Sequence, residues 1–289
     1  MIRIVCINLK RRIDRRAAWL GAAFAQRVPD DIIEFYYGYD AADYSRQEAR
    51  ERFSNDFPDV DFPEARGTGS QCVTWSYLSC LKRISEYPED MRVILMQDHT
   101  VFGCEFGHVE RVINSADDFN VIQFFYGNFE EAYETFYKVN GKSKGDVYES
   151  YNNDLYSDYL GDSASCNVYT PKGARLTLAR YQYQHIHNLD TVFMKRMSEQ
   201  PDVYRVKDQW FFIRRPLCLS KWMDCVDSDR EYYNYLDKES AEPSHSNPTA
   251  KWIVDLPESH AGLKANNTWG QRAKKINGKV VIDESSLDR

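Results

Sequence analysis

Three polar side chains close three apolar runs in the first hundred residues. Asn8 follows the run from Ile2 to Ile7, Asp40 comes just after Ile32 to Tyr37, and Asp98 comes just after Arg92 to Met96. An amide and two carboxylates can bind hydroxyls and N–H groups, hold a cation, or take a proton. Arg12 and Arg15 stand a few residues past Asn8. A guanidinium fork matches the paired oxygens of a phosphate, so these two supply the complementary chemistry.

These residues act together only if the apolar runs are strands of one sheet. The β-branched run Ile2-Arg3-Ile4-Val5-Cys6-Ile7 predicts a buried strand, and Lys10 to Ile13 a loop. From Asp14 the pattern becomes helical, with Ala17, Trp19, Leu20, Ala23 and Phe24 apolar and Asp14 placed to cap the first backbone N–H groups. After the Pro29-Asp30-Asp31 turn, Ile32 to Tyr37 predicts a second strand. A strand–helix–strand opening sets an α/β class with parallel strands.

Residues 41–66 are charged, broken by Pro58 and Pro63, and read as irregular. A helix is expected over 72–86 behind the Gly67-Thr68-Gly69-Ser70 turn, a third strand over 92–96 and a fourth over 120–125. In open α/β sheets ligands bind outside the carboxyl ends of the strands, which would set Asn8, Asp40 and Asp98 around one crevice. Residues 126–162, rich in Tyr, Asn, Asp and Glu, read as a long functional loop or lid. Beyond it come an expected strand over 166–169, a helix opened by Pro171 over 171–181, and a helix over 189–197. The expected organisation is one nucleotide-binding domain over 1–225, followed by a polar extension over 226–289 that packs on the core or is partly disordered.

Composition narrows the function classes. The chain has 289 residues and a formal charge of −7, which disfavours broad electrostatic binding to nucleic acid or an anionic membrane. Seven cysteines are odd in number, widely spaced and without C-x-x-C pairs, so they read as free thiols of a reducing, cytoplasmic compartment. No stretch approaches the length of a membrane span. Neither G-x-G-x-x-G after the first strand nor G-x-x-x-x-G-K-[ST] is present, which disfavours dinucleotide and P-loop chemistry.

An ordered set of short motifs over residues 1–220 resembles glycosyltransferase family 25, the group that contains lipopolysaccharide and procollagen galactosyltransferases. Ile7-Asn8-Leu9-Lys10-Arg11-Arg12-Ile13-Asp14-Arg15 fits the opening pattern I-N-L-x-x-R-x-D-R. Gly69 to Cys72 before a helix, the strand entering Gln97-Asp98-His99, and Val168-Tyr169-Thr170-Pro171-Lys172-Gly173-Ala174 follow in order. Asp190 and Arg215-Pro216-Leu217-Cys218 are a weaker fifth match. The resemblance implies a GT-A-like, Rossmann-like, mostly parallel sheet flanked by helices. It also implies a UDP-sugar or similar nucleotide-sugar donor, Mn²⁺, and transfer of a hexose to a glycan or protein hydroxyl with inversion.

Carried onto this chain, the resemblance assigns nucleotide contacts to Asn8, Leu9 and Asp40, and diphosphate contacts to Arg12 and Arg15. Asp190 becomes the general base on the acceptor side, with His185 and His187 as alternatives. Each has a plainer reading: Asp14 and Asp190 as helix caps, Arg15 and Arg16 as a solvated helix face. The family's acidic E-D-D is Gln97-Asp98-His99 here, which keeps the central acid and removes two negative charges. Three readings follow: Asp98 and His99 hold Mn²⁺ with help from His187 or His245, with Gln97 near the diphosphate; His99 and arginines replace the metal; or His99 is a satisfied strand-end residue. A second departure puts Ser76 where relatives carry histidine, and Cys72 reads as a packing residue. The departures keep a second function class open, a non-catalytic member that binds a nucleotide sugar or glycan.

Overall fold

The computed structural model describes residues 1–60, 68–102, 104–125, 149–150, 155–157, 164–181, 202–206, 212–214, 273–276 and 279–282. The strands in chain order are β1 (Ile2–Asn8), β2 (Ile33–Tyr37), β3 (Arg92–Gln97), β4 (Thr100–Phe102), β5 (Val121–Phe125), β6 (Glu149–Ser150), β7 (Leu155–Ser157), β8 (Cys166–Tyr169), β9 (Val203–Val206), β10 (Phe212–Arg214), β11 (Ala273–Ile276) and β12 (Lys279–Ile282). The helices are α1 (Ile13–Ala25), α2 (Arg46–Asp56), α3 (Thr68–Ile84), α4 (Phe106–Ser115) and α5 (Pro171–Tyr181). Among the described residues no helix is long and apolar enough to cross a membrane.

The chain divides into two compact units: residues 1–38, 57–63 and 74–215, and residues 39–56, 64–73 and 216–289. The first is built on an eight-stranded sheet in the order β2-β1-β3-β8-β5-β9-β7-β6. β1 pairs in parallel with β2 and β3, and β5 in parallel with β9, whereas β8 runs antiparallel to both β3 and β5. The expected α/β architecture with a mostly parallel sheet is present, with β8 and β7 as the reversed strands.

Strand alternation sorts the side chains by face. Ile4 and Cys6 of β1, Ile94 and Met96 of β3, Ile122 and Phe124 of β5, and Cys166 and Val168 of β8 share one buried cluster. Trp19 and Ala23 of α1 and Phe106, Val109, Val112 and Ile113 of α4 cover that face. The α4 spacing i, i+3, i+6, i+7 explains how a helix only ten residues long is retained: one apolar stripe is removed from water. On the other face Asn167 of β8 donates from Nδ2 to the Tyr77 phenol oxygen of α3 at 2.9 Å, and the Tyr77 and Tyr169 hydroxyls lie 2.8 Å apart. Burial pushes the Tyr169 phenol well above its ordinary value, and its hydrogen bonds to Tyr77 and Asn167 offset part of that.

The turn from β8 into α5 is set by close contact. A Cβ on Gly173 would fall 1.9 Å from the Asn120 carbonyl oxygen, so only glycine lets the first turn of α5 pass the start of β5. The Thr170 hydroxyl accepts from the Gly173 N–H at 2.9 Å and caps this helix start.

Two expectations from sequence are corrected here. Residues 46–56 form a helix, not irregular chain. Ser45 and Glu48 satisfy each other's backbone N–H groups, with Ser45 N to Glu48 Oε2 at 2.8 Å and Glu48 N to Ser45 Oγ at 3.3 Å. Only Ala49 and Phe53, four residues apart, are buried on it, so its apolar periodicity is too thin to register. At α1 the cap position belongs to Arg12, because a turn closed by Arg12 N to Leu9 O at 2.9 Å starts the helix at Ile13 and places Asp14 inside its first turn. The remaining shifts are small: α3 starts at Thr68 and ends at Ile84, and β3 extends to Gln97.

In the second unit α2 is accompanied by an aromatic group, Tyr39 edge-on to Tyr44 at 6.4 Å with the Arg52 guanidinium 5.1 Å from the Tyr44 ring centre. β11 and β12 pair as an antiparallel hairpin, which gives part of the expected polar extension regular structure.

Candidate functional site

Parallel pairing brings the carboxyl ends of β1, β2 and β3 side by side, with Asn8 opposite Tyr37 and Ile7 opposite Gln97. The chain leaves β3 by a tight step in which the Asp98 N–H donates to the Ile7 carbonyl at 3.1 Å. That step aims Asp98 across the end of β1. Asn8 Nδ2 donates to Asp98 Oδ2 at 2.8 Å, and also to the Arg12 carbonyl at 3.2 Å. One buried amide therefore ties the first strand to the acid of the third and to the first turn of α1.

The helix delivers the counter-charge. Trp19 is fully buried, edge-on to Phe35 at 5.5 Å and near Phe102 at 6.2 Å, and its Nε1 donates to the Thr100 carbonyl at 3.0 Å. Arg15 lies four residues earlier, on the same helix face. With Trp19 anchored, Arg15 reaches Asp98: Nη1 to Oδ1 is 3.1 Å, and the two side chains are 13% and 8% exposed. Arg12 is buried beside them. Arg16, one position round the helix, turns away to Tyr37, donating to its hydroxyl at 2.7 Å with the guanidinium 5.4 Å from the ring centre.

The neighbours of Asp98 face the end of β8. Gln97 donates from its backbone N to the Ser165 carbonyl at 3.0 Å and from Nε2 to the Ala164 carbonyl at 3.5 Å. His99 Nε2 lies 3.1 Å from Ser165 Oγ, an interaction in which either group can donate according to the imidazole tautomer. Asn8 Oδ1 is a buried acceptor with no hydrogen-bond partner among the described residues.

The structure thus joins Asn8, Arg12, Arg15 and Asp98, with Leu9, Gln97 and His99 beside them. Asp40 belongs to the second unit, where it is buried and caps a turn, its Oδ1 accepting from the Ala42 N–H at 3.0 Å and its carbonyl from Asp43 N at 2.9 Å. Asp190, His185, His187, His245 and the expected lid over 126–162 lie outside the described residues, apart from the short strands β6 and β7. Ser76 is buried against Gly38, where an added Cβ would sit 2.9 Å from its hydroxyl, so a larger side chain at 76 would collide with the end of β2. Cys72 is buried, as expected of a packing residue. Ser165 was not singled out by sequence, since a lone serine before a short strand carries no pattern.

A divalent cation of the Mn²⁺ type takes several oxygen or imidazole ligands and favours uncompensated negative charge. Both Asp98 oxygens already receive N–H donors, one from a guanidinium. Gln97 adds no negative charge, and both it and His99 are engaged with the Ala164–Ser165 segment. Among the described residues no three His, Cys, Asp or Glu side chains come together as a ligand set. Gln97, Asp98 and His99 alone do not make up such a centre; His187 and His245, the further ligands expected from sequence, lie outside the described residues.

No family model matches the chain. No curated protein matches it either. Among solved structures it is similar to the galactosyltransferase LgtC in complex with donor and acceptor sugar analogs, at 13% identity and TM-score 0.40 over 71% of this chain and 73% of that one. It is also similar to S. aureus TarS 1-349, at 12% identity and TM-score 0.37 over 98% and 96% of the two chains. A third similarity is to the mannosyltransferase PcManGT from Pyrobaculum calidifontis in complex with GDP-Man and Mn²⁺, at 12% identity and TM-score 0.32 over 93% and 71%.

Proposed function

We propose that the chain is a nucleotide-sugar-dependent glycosyltransferase whose donor site is built at the carboxyl ends of β1 and β3. One observation carries this reading: Asn8 and Arg15 from the first sequence motif both bond Asp98 of the third, at 2.8 and 3.1 Å. These residues, which belong to two of the motifs that carry the resemblance, lie together at the carboxyl ends of adjacent parallel strands, the place where open α/β folds bind ligands. Arg12 and Arg15 would contact the diphosphate, Asn8 and Leu9 the nucleoside side of the crevice, and Asp190 would take the acceptor proton. The donor is a nucleoside-diphosphate hexose and the acceptor a hydroxyl of a glycan or protein, with inversion at the anomeric carbon.

A second reading, a member that binds a nucleotide sugar or glycan without turning it over, is favoured by Gln97 and His99 flanking Asp98 and by Ser76, three departures from the pattern that the resemblance implies. Thermal shift of the full chain with UDP-glucose, UDP-galactose and GDP-mannose, followed by assay of donor hydrolysis, separates the readings. Binding stabilises the folded state by mass action, so a saturating donor raises the melting temperature. Stabilisation with hydrolysis supports the enzyme and stabilisation without it the binding module. No shift with any donor refutes both.

A further inference from the structure

We propose that the β11–β12 hairpin is a docking surface for an anionic phospholipid bilayer. The hairpin belongs to the second unit, and its role does not depend on the nucleotide-sugar reading.

Charge is segregated along the chain. The formal charge of the whole is −7, yet residues 259–282 contain Lys264, Arg272, Lys274, Lys275 and Lys279 and no Asp or Glu. Screening limits the reach of exposed charges to about 10 Å at about 0.1 M salt, so a surface touching this stretch meets its local charge and not the net charge of the chain. Clusters of about four to eight Lys or Arg are attracted to acidic lipid headgroups in this way.

The strand register mixes that charge with apolar positions. Cross-strand partners share a face, so Lys275 lies on one face with Val280, and Lys274 and Lys279 lie on the other with Val281 and Ile276. Each face thus holds both lysine and β-branched aliphatic positions. Among the described residues the two strands form a sheet of their own. A two-stranded hairpin by itself is marginal in water, and it gains when its apolar positions meet another surface. A bilayer interface answers both features, with acidic headgroups for the ammonium ends and hydrocarbon for the aliphatic positions and the lysine stems. Trp269, four residues before Ala273, is of the type enriched at that interface. Nucleic acid, another polyanion, fits these strands less well. Proteins that track single strands stack bases on aromatic side chains, and neither β11 nor β12 has one. Arginine is the residue suited to phosphate and nucleic-acid recognition, and the basic residues of the two strands are all lysines.

The experiment is co-sedimentation of the full chain with vesicles of phosphatidylcholine alone and of phosphatidylcholine mixed equally with phosphatidylglycerol. The expected result is binding to the mixed vesicles at about 0.1 M NaCl, its loss at about 1 M NaCl, and none to phosphatidylcholine alone. Combining Lys274→Gln, Lys275→Gln and Lys279→Gln should weaken partitioning by about 100-fold, the scale of three lysines at an acidic surface. The three Lys→Arg replacements, which keep the charge, should retain it. Thermal melts check the folding of each variant; should the triple Gln variant fail to fold, Lys274→Gln and Lys279→Gln alone should each weaken partitioning by about 5-fold. Fluorescence anisotropy with single-stranded RNA and duplex DNA is measured in parallel. No binding to the mixed vesicles, equal binding to both kinds, or unchanged binding in the folded Gln variants overturns the proposal. Nucleic-acid binding that these lysines control, without vesicle binding, overturns it in favour of a nucleic-acid partner. Each of these outcomes leaves the nucleotide-sugar reading standing, since donor binding is read separately by thermal shift.

Discussion

Replacing Asp98 by alanine tests whether the junction of β1, β3 and α1 is held by this one acid. The variant removes a buried hydrogen bond from Asn8 and an ion pair with Arg15 whose side chains are 13% and 8% exposed. Breaking a buried pair from one side costs about 3–5 kcal/mol where nothing else compensates the remaining charge, and Arg15 has further interactions. Arg15 keeps some access to water, so the lower end applies, about 3 kcal/mol. At about 2–4 °C per kcal/mol for a chain of this size class, the melting temperature should fall by about 6–12 °C. The coupling can be isolated by a double-mutant cycle with Asn8→Ala, expected at about 1–2 kcal/mol for one charge-assisted bond. Two compact units need not unfold together. Urea unfolding is therefore best read by hydrogen exchange of the β1 and β3 peptides. A loss below about 1 kcal/mol, or zero coupling with Asn8, would refute the view that Asp98 organises the site.

Other substitutions probe the frame around it. Gly173→Ala should destabilise the first unit by about 3 kcal/mol in urea unfolding, since its Cβ would overlap the Asn120 carbonyl at 1.9 Å, a backbone atom with little room to give. Gly21→Ala, in mid-α1 with nothing within 4 Å of the new Cβ, should instead raise stability by about 0.5–1 kcal/mol. Burial raises the Cys6, Cys80 and Cys166 thiols well above the ordinary 9.0, and these groups release protons more readily when unfolded. Their contribution to stability is therefore complete below about pH 9 and is lost as pH climbs toward the raised native values, which thermal melts between pH 7 and 11 would show as a decline confined to the alkaline side. The same burial should leave these three thiols unlabelled by a disulfide reagent in the native protein. Half-buried Cys104 should react ahead of them, as peptide mapping by mass spectrometry would record.

The sequence was most informative where one interaction type dominates. β1 and β3 are runs of apolar residues whose only favourable place is inside a sheet, and α5 announces its start through Pro171. The strand ends then follow from topology, which sets Asn8, Asp40 and Asp98 around one crevice, and of these the structure bonds Asn8 to Asp98. What stayed hidden depended on partners distant in sequence. β6, β7 and β10 have two or three residues each and exist only through pairing. The shallow amphipathicity of α2 masked a reciprocal cap that the Ser45-x-x-Glu48 pattern does spell out. The sequence reads Arg15 either as a diphosphate ligand or as a solvated surface group, and its partner Asp98 becomes visible only once α1 is folded against the sheet. The spacing of Asn8 and Arg15 in the chain contains no statement about position 98.

The reversed strand β8 has a consequence for how the chain is assembled on the ribosome. β2, β1 and β3 can pair as soon as residue 97 has emerged, but β5, complete at residue 125, has no place beside β3. The slot between them belongs to residues 166–169, which are synthesised some forty positions later. Until they arrive, β3 presents an open edge of apolar residues and β5 an unpaired strand, the two features that invite intermolecular pairing. Insertion of β8 joins β3 of the early strands to β5 in one step. A single four-residue segment, Cys166–Tyr169, therefore sets the moment at which the facing edges of β3 and β5 are closed to pairing with another chain.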